Sequence, residues 1–185
     1  MSSTVANIAL VFCTTLLTSG ISQSQTSIDR MAVESLRKMF GDSVTIAPAV
    51  VNLTREEQQS IFERGRSRWT SDSIVIYRCF VGLDTVGYGF VDNVKGKTQF
   101  ITYLVAVQAK GVVQDIDVLA YRESYGGEIA YESFRKQFRQ KTAADKLQPG
   151  RDIKNISGAT ISVRAITDGV RKIIATFELV HLRLR

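Results

Sequence analysis

Ile74-Val75-Ile76-Tyr77-Arg78-Cys79-Phe80-Val81 is a run of β-branched and aromatic residues of strand length. Read outward, it lies within residues 73–83, the first of four such runs. Residues 85–92 follow around Asp84, residues 98–108 follow the turn Lys95-Gly96-Lys97, and residues 112–121 follow Lys110-Gly111. Connections this short make antiparallel neighbours, so the four runs predict a meander. Helical periodicity brackets it. Met31, Val33, Leu36, Met39 and Phe40 give an amphipathic helix from Ile28, ended by Gly41-Asp42. Thr54-Arg55-Glu56-Glu57 is a capped start for a second helix, with Ile61 and Phe62 inside it. After the strands, helices are expected over residues 130–140, with Phe134 and Phe138 on the packed face, and over residues 160–179. In the second of these Ile166, Val170, Ile173, Ile174 and Phe177 recur at helical spacing, and a loop containing Pro149-Gly150 precedes it. Strands followed by helices argue for an α+β fold: an antiparallel four-stranded meander flanked by N-terminal and C-terminal helices.

The 185 residues are enough for one domain with a real core. Their net charge of +6 admits an anionic ligand, nucleic acid or an acidic surface. The basic residues are scattered, and their densest groups, 64–68, 135–141 and 181–185, do not alternate with aromatics as a base-stacking platform would. A solvated basic face is the reading, with no nucleic-acid partner. His181 is the sole histidine and the cysteines are Cys13 and Cys79, which argues against a Cys/His metal site and a Ser-His-Asp triad. Cys79, inside the first apolar run, reads as a small buried hydrophobe.

Residues 5–17 are apolar but span only about 20 Å as a helix, too short for a hydrocarbon core of roughly 30 Å. The small residues Thr18-Ser19-Gly20-Ile21-Ser22 follow. We read residues 1–24 as a signal peptide, although no Lys or Arg precedes the apolar run. The mature chain is then expected in the periplasm or at the extracytoplasmic face of the cell membrane. An N-terminal helical segment would occupy residues 25–72 and the ligand-binding domain residues 73–180.

Asn155-Ile156-Ser157-Gly158-Ala159-Thr160-Ile161-Ser162 runs straight into the last helix. Ser157 reads as its N-cap and Gly158 as a point of tight backbone approach. Ser157, Thr160 and Ser162 then cluster their hydroxyls where a helix presents unpaired N–H groups and the positive end of its dipole, a ready site for a phosphate. An ordinary capped helix satisfies the same pattern. Upstream, Gly126-Gly127 would let backbone approach a flat ring or simply turn the chain. Glu123 would accept from ligand donors, or else fix Arg122 or a backbone N–H.

Ser157-Gly158-Ala159-Thr160 resembles the S/T-G-A-T signature of the FMN-binding domain family, which includes the C subunit of the sodium-translocating NADH:quinone reductase and the G subunit of the Rnf electron-transport complex. The resemblance continues through Tyr121-Arg122-Glu123-Ser124-Tyr125-Gly126-Gly127-Glu128-Ile129 and Gly150-Arg151-Asp152-Ile153, and covers residues 73–177. It implies FMN as cofactor, held by Glu123, Tyr125, Gly126, Gly127, Lys154, Ser157, Gly158, Ala159, Thr160 and Ser162. It also implies a phosphoester to Thr160 installed by a flavin transferase, and a redox partner protein or membrane electron-transport complex. At one position the sequence departs from the signature: Lys154 stands six residues before Thr160, where an Asp is usual, and Asp152 lies two residues further upstream. Trp69, Tyr88, Phe90, Tyr103, Tyr121 and Tyr125 are candidate ring neighbours; most of them are expected in the core, and Tyr125, inside the resembling motif, is the one assigned to the ring. No residue set points to catalysis on a substrate of the chain's own. The rival readings are a flavin-free binding module of the same fold that recruits an envelope partner, a basic nucleic-acid binder, and a hydrolase using Ser157 or Thr160, for which no base stands at recognisable spacing.

Overall fold

The computed structural model describes residues 23–184. A five-stranded antiparallel sheet runs in sequence order: β1 (Thr45–Asn52), β2 (Ser73–Val81), β3 (Asp84–Lys95), β4 (Phe100–Gln108) and β5 (Val113–Ala120). Helix α1 (Gln23–Phe40) covers one face, and α2 (Arg55–Gly65) and α4 (Thr160–Val180) cover the other. The short helix α3 (Glu132–Arg135) lies in the connection between β5 and α4. The residues read as a signal peptide lie outside the described residues up to position 22.

Two layers of helix explain the apolar run in β4. Its residues are buried without a break from Ile101 to Val107, as in a strand covered on both faces. Tyr103, Val105 and Val107 point into the core beneath α4, whereas Leu104 and Ala106 meet Ala32 and Leu36 of α1. The approach of α1 depends on missing side chains in β3, since a Cβ at Gly89 would lie 2.7 Å from Leu36 Cδ1. Residues 25–72 therefore build the same sheet and cores as the rest of the chain.

The fifth strand is the main departure from expectation. Thr45–Asn52 falls in the segment read as helical and pairs with β2 from Thr45↔Phe80 to Asn52↔Ser73. Pro48 obscures it in the sequence, yet an edge strand tolerates a residue without an N–H. The second departure is the expected helix over residues 130–140. Tyr131 is extended (φ −72°, ψ 147°), so the chain makes two 3₁₀ turns, Gly127–Ala130 and Lys136–Phe138, around α3. Phe134 and Phe138 still pack together in the core, their ring centroids 5.3 Å apart. The capping box at Thr54 and Glu57 forms as expected, and Cys79 is fully buried, which pushes its thiol up to about 12.

A charged network lies between α4 and the sheet. Lys172 is 1% exposed; its ammonium sits 2.9 Å from Asp92 Oδ2, donates to the Arg68 carbonyl and lies 4.4 Å from the Trp69 ring centroid. Tyr103, opposite Asp92 in the β3–β4 register, donates to the same carboxylate at 2.6 Å. Burial and the Asp92 charge hold the Tyr103 phenol in its neutral form well above the usual range.

Candidate functional site

The loop from β5 to α4 delivers the tetrad, and its shape is set by Asp152. That carboxylate accepts from the backbone N–H groups of Leu147 and Gln148 at 2.9 and 2.5 Å. Burial would raise its pKa, but these N–H bonds and the nearby Lys141 charge hold it below the usual range. Asp152 is thus committed to the loop's own backbone. Lys154 is exposed, with its backbone N–H donating to Gln137 Oε1 at 2.7 Å.

Residues Ile156 to Ala159 form a turn closed by the Ala159 N–H on the Ile156 carbonyl at 3.0 Å. Gly158 supplies the φ of +81° that this turn needs, and a Cβ placed on it would meet no atom within 4 Å. Its role is conformational, and the space beside it is open. The N-cap position of α4 is occupied by Ala159, without a side-chain bond, so Ser157 does not cap the helix as expected. No acidic residue stands in the first turn. The N–H groups there keep their capacity for an anion.

The three hydroxyls of the segment separate cleanly. Ser162 is 5% exposed and sits 3.3 Å from the Tyr121 hydroxyl, which itself donates to the Tyr125 carbonyl. Ser157 is exposed but lines neither groove at the helix start. Thr160 is exposed, its side chain has no partner among the described residues, and it lines both grooves.

The larger groove, about 530 Å³, is lined by Lys97, Thr98, Glu123, Ser124 and Tyr125 on one side and by Gly158 to Ser162 on the other. It brings together Glu123, Tyr125, Gly158, Ala159, Thr160 and Ser162 from the sequence reading. Lys154, Ser157, Gly126 and Gly127 lie outside its lining. Lys97, Thr98, Ser124 and Ile161 are additions. Ile161 adjoins the tetrad in sequence, but only the sheet register reveals that the β3–β4 turn faces it.

Glu123 commits its carboxylate to the β3–β4 turn. It accepts from the Thr98 hydroxyl at 2.7 Å and from the N–H groups of Thr98 and Gln99 at 2.8 and 3.1 Å. These bonds, the Thr98 hydroxyl foremost, hold its pKa down to about 2. The residue fixes the far wall of the groove. Gly126 serves the chain turn, one of the two roles read for it. At φ +88° its Cβ position lies 2.9 Å from Ala159 Cβ, so the glycine lets the two loops meet. Gly127 has only the Tyr121 ring near it, at 3.9 Å.

These features fit FMN. The groove volume lies in the range of cofactor sites. Tyr125 and Ile161, 86% and 51% exposed, provide apolar surface for a flat ring, and the open hydroxyl of Thr160 lies beside uncapped N–H groups.

Comparison with known proteins agrees. The profile of the FMN-binding domain family matches residues 96–175. The G subunit of the proton-translocating ferredoxin:NAD(+) oxidoreductase complex of Clostridium ljungdahlii is 33% identical over 106 residues, 53% of this chain. The match spans 57% of that relative's own length. The crystal structure of NqrC from Shewanella oneidensis superposes with a TM-score of 0.58 at 15% identity, covering 86% of this chain and 98% of that one. The C subunit of the Na(+)-translocating NADH-quinone reductase of Parabacteroides distasonis gives a TM-score of 0.56 at 11% identity, covering 88% and 98%. At such identities the two structures attest the fold. With the sequence match and a groove of fitting size and chemistry around Thr160, residues 96–175 match the FMN-binding domain family, and FMN is the cofactor that the match and the groove support.

Proposed function

We propose that this chain is an electron-carrying flavoprotein domain with FMN joined to Thr160 through a phosphoester. The observation that carries the attachment is the separation of the hydroxyls: Thr160 alone among Ser157, Thr160 and Ser162 is both exposed and at the groove. A bound isoalloxazine supplies the redox chemistry. The chain's own residues position it. Glu123 locks the β3–β4 turn as one wall, Tyr121 ties the Tyr125 segment to α4, and Tyr125 and Ile161 offer apolar cover.

The Clostridium relative belongs to an oxidoreductase complex, which supports a redox partner in a membrane electron-transport complex and no substrate site of the chain's own. The domain works outside the cytoplasm, after removal of the leader, and a flavin transferase installs the cofactor. A tether suits that location because a dissociated cofactor would be lost.

Coexpression with a flavin transferase, followed by denaturing electrophoresis under ultraviolet light, tests the attachment. A fluorescent band whose flavin-phosphate mass maps to Thr160 is expected, and flavin fully released by denaturation would overturn it. Intact-mass analysis of protein from the native envelope tests export: loss of about twenty residues is expected. An unprocessed chain in the cytosol would contradict it.

A further inference from the structure

Thr160 and Ile161 also line a second groove, about 390 Å³, which they share with Lys95, Arg164, Ala165 and Asp168. The two grooves meet at Thr160, and their chemistry differs. The first contains Tyr125, a Glu123 carboxylate already spent on the β3–β4 turn, and one cation, Lys97. The second contains two cations.

Arg164 follows Thr160 by four residues, so the two share a face of α4. Helical side chains lean toward the N-terminus, which carries the Arg164 side chain back toward Thr160. It is exposed and has no hydrogen-bond or ion-pair partner among the described residues. Lys95 ends β3; its ammonium donates to the Thr98 carbonyl at 2.7 Å and lies 5.2 Å from the Phe100 ring centroid. These contacts hold it at the groove with two of its three N–H donors unspent. Asp168, the one acid in this lining, is engaged by Arg171. Lys154, the cation nearer in sequence to the tetrad, lines neither groove.

We infer that Lys95 and Arg164 form the subsite for the flavin's phosphate group, with the ring directed into the Tyr125 groove and Thr160 at the junction. This assignment rests on the FMN reading of the site and adds to it the two cations and the direction in which the cofactor lies. It explains why an exposed arginine stands one turn into a helix whose start carries no counter-charge. A guanidinium presents several donors in a fixed fork that matches phosphate oxygens, and Lys95 adds a point charge.

The test uses the full chain carrying Thr160→Val, which blocks attachment and leaves binding reversible. FMN and riboflavin are titrated separately by flavin fluorescence, with inorganic phosphate as competitor. FMN should bind at least about tenfold more tightly than riboflavin, as a charge-assisted contact predicts. Phosphate should displace FMN and leave riboflavin in place. Arg164→Gln and Lys95→Gln should each shrink the FMN preference, and the double variant should bring it within about twofold, the residue of a lost charge pair. Arg164→Lys should keep part of it. Unchanged riboflavin affinity in every variant shows that the ring groove is intact. An FMN preference that survives the double variant would overturn the subsite. Equal affinity of the parent for both flavins would do the same while leaving the flavin reading in place. Failure of both flavins to bind the parent would overturn the two together.

Discussion

Glu123 grips Thr98 twice, through the backbone N–H at 2.8 Å and the hydroxyl at 2.7 Å, and so fastens the segment after β5 to the β3–β4 turn. A glycine at position 96 makes room for it, since a Cβ there would lie 2.5 Å from Glu123 Oε1. The groove exists because these two stretches are held at a fixed spacing.

That contact has a pH signature. The folded-state pKa of Glu123, about 2, lies below its ordinary value of 4.5, so the bond stabilises the fold above pH 4.5 and is lost as pH falls toward 2. Thermal unfolding followed across this window should show a shallower decline for Glu123→Gln than for the parent. Parallel curves would show that the carboxylate's charge contributes nothing to folding.

Thr160→Val should abolish the fluorescent band after transferase treatment and leave the fold intact, because the side chain is exposed and unpartnered. Ser157→Ala should retain the band and change stability by no more than about 0.5 kcal/mol, as for a surface residue that caps nothing. Peptide mapping and urea denaturation check both. Flavin on Ser157 or Ser162 would refute the assignment.

Gly126→Ala should destabilise by about 1–3 kcal/mol, since a side chain is strained at φ +88° and collides with Ala159. Gly127→Ala should cost less than about 1 kcal/mol, because its new methyl meets only the Tyr121 ring at ordinary contact distance. Urea midpoints at constant m-value decide the ranking. Equal losses at the two positions would contradict it.

Lys172→Met leaves the Asp92 carboxylate buried without its counter-charge and should cost about 3–5 kcal/mol. Adding Asp92→Asn removes the stranded charge, so the double variant should lose less than the sum of the single losses. Additive losses in denaturant titrations would show that the two groups do not act as a pair.

The local patterns that carry strands and helices were legible without coordinates. Strands β2 to β5 announce themselves by β-branched runs between Gly-containing turns, α2 by its capping box, and α4 by apolar residues at helical spacing. Such signals need only neighbours within a few residues. The Ser157–Thr160 tetrad and the Tyr125 segment were likewise visible as motifs. Strand β1 was not, because Pro48 is acceptable only at a sheet edge, and an edge is a property of the assembled sheet. The same holds for roles within the site. Ser157 and Thr160 are similar hydroxyls three residues apart, and only the turn at Gly158 makes one idle and leaves the other at the groove. Glu123 and Thr98 lie 25 residues apart, as fixed by the β3–β4 and β4–β5 registers. The amino-acid sequence by itself determined strands β2 to β5, helices α1, α2 and α4, and which hydroxyl-rich loop meets a helix start. The tertiary structure decided which of those hydroxyls is free and which cations stand beside it, because burial and approach across the sheet depend on packing that no local pattern encodes.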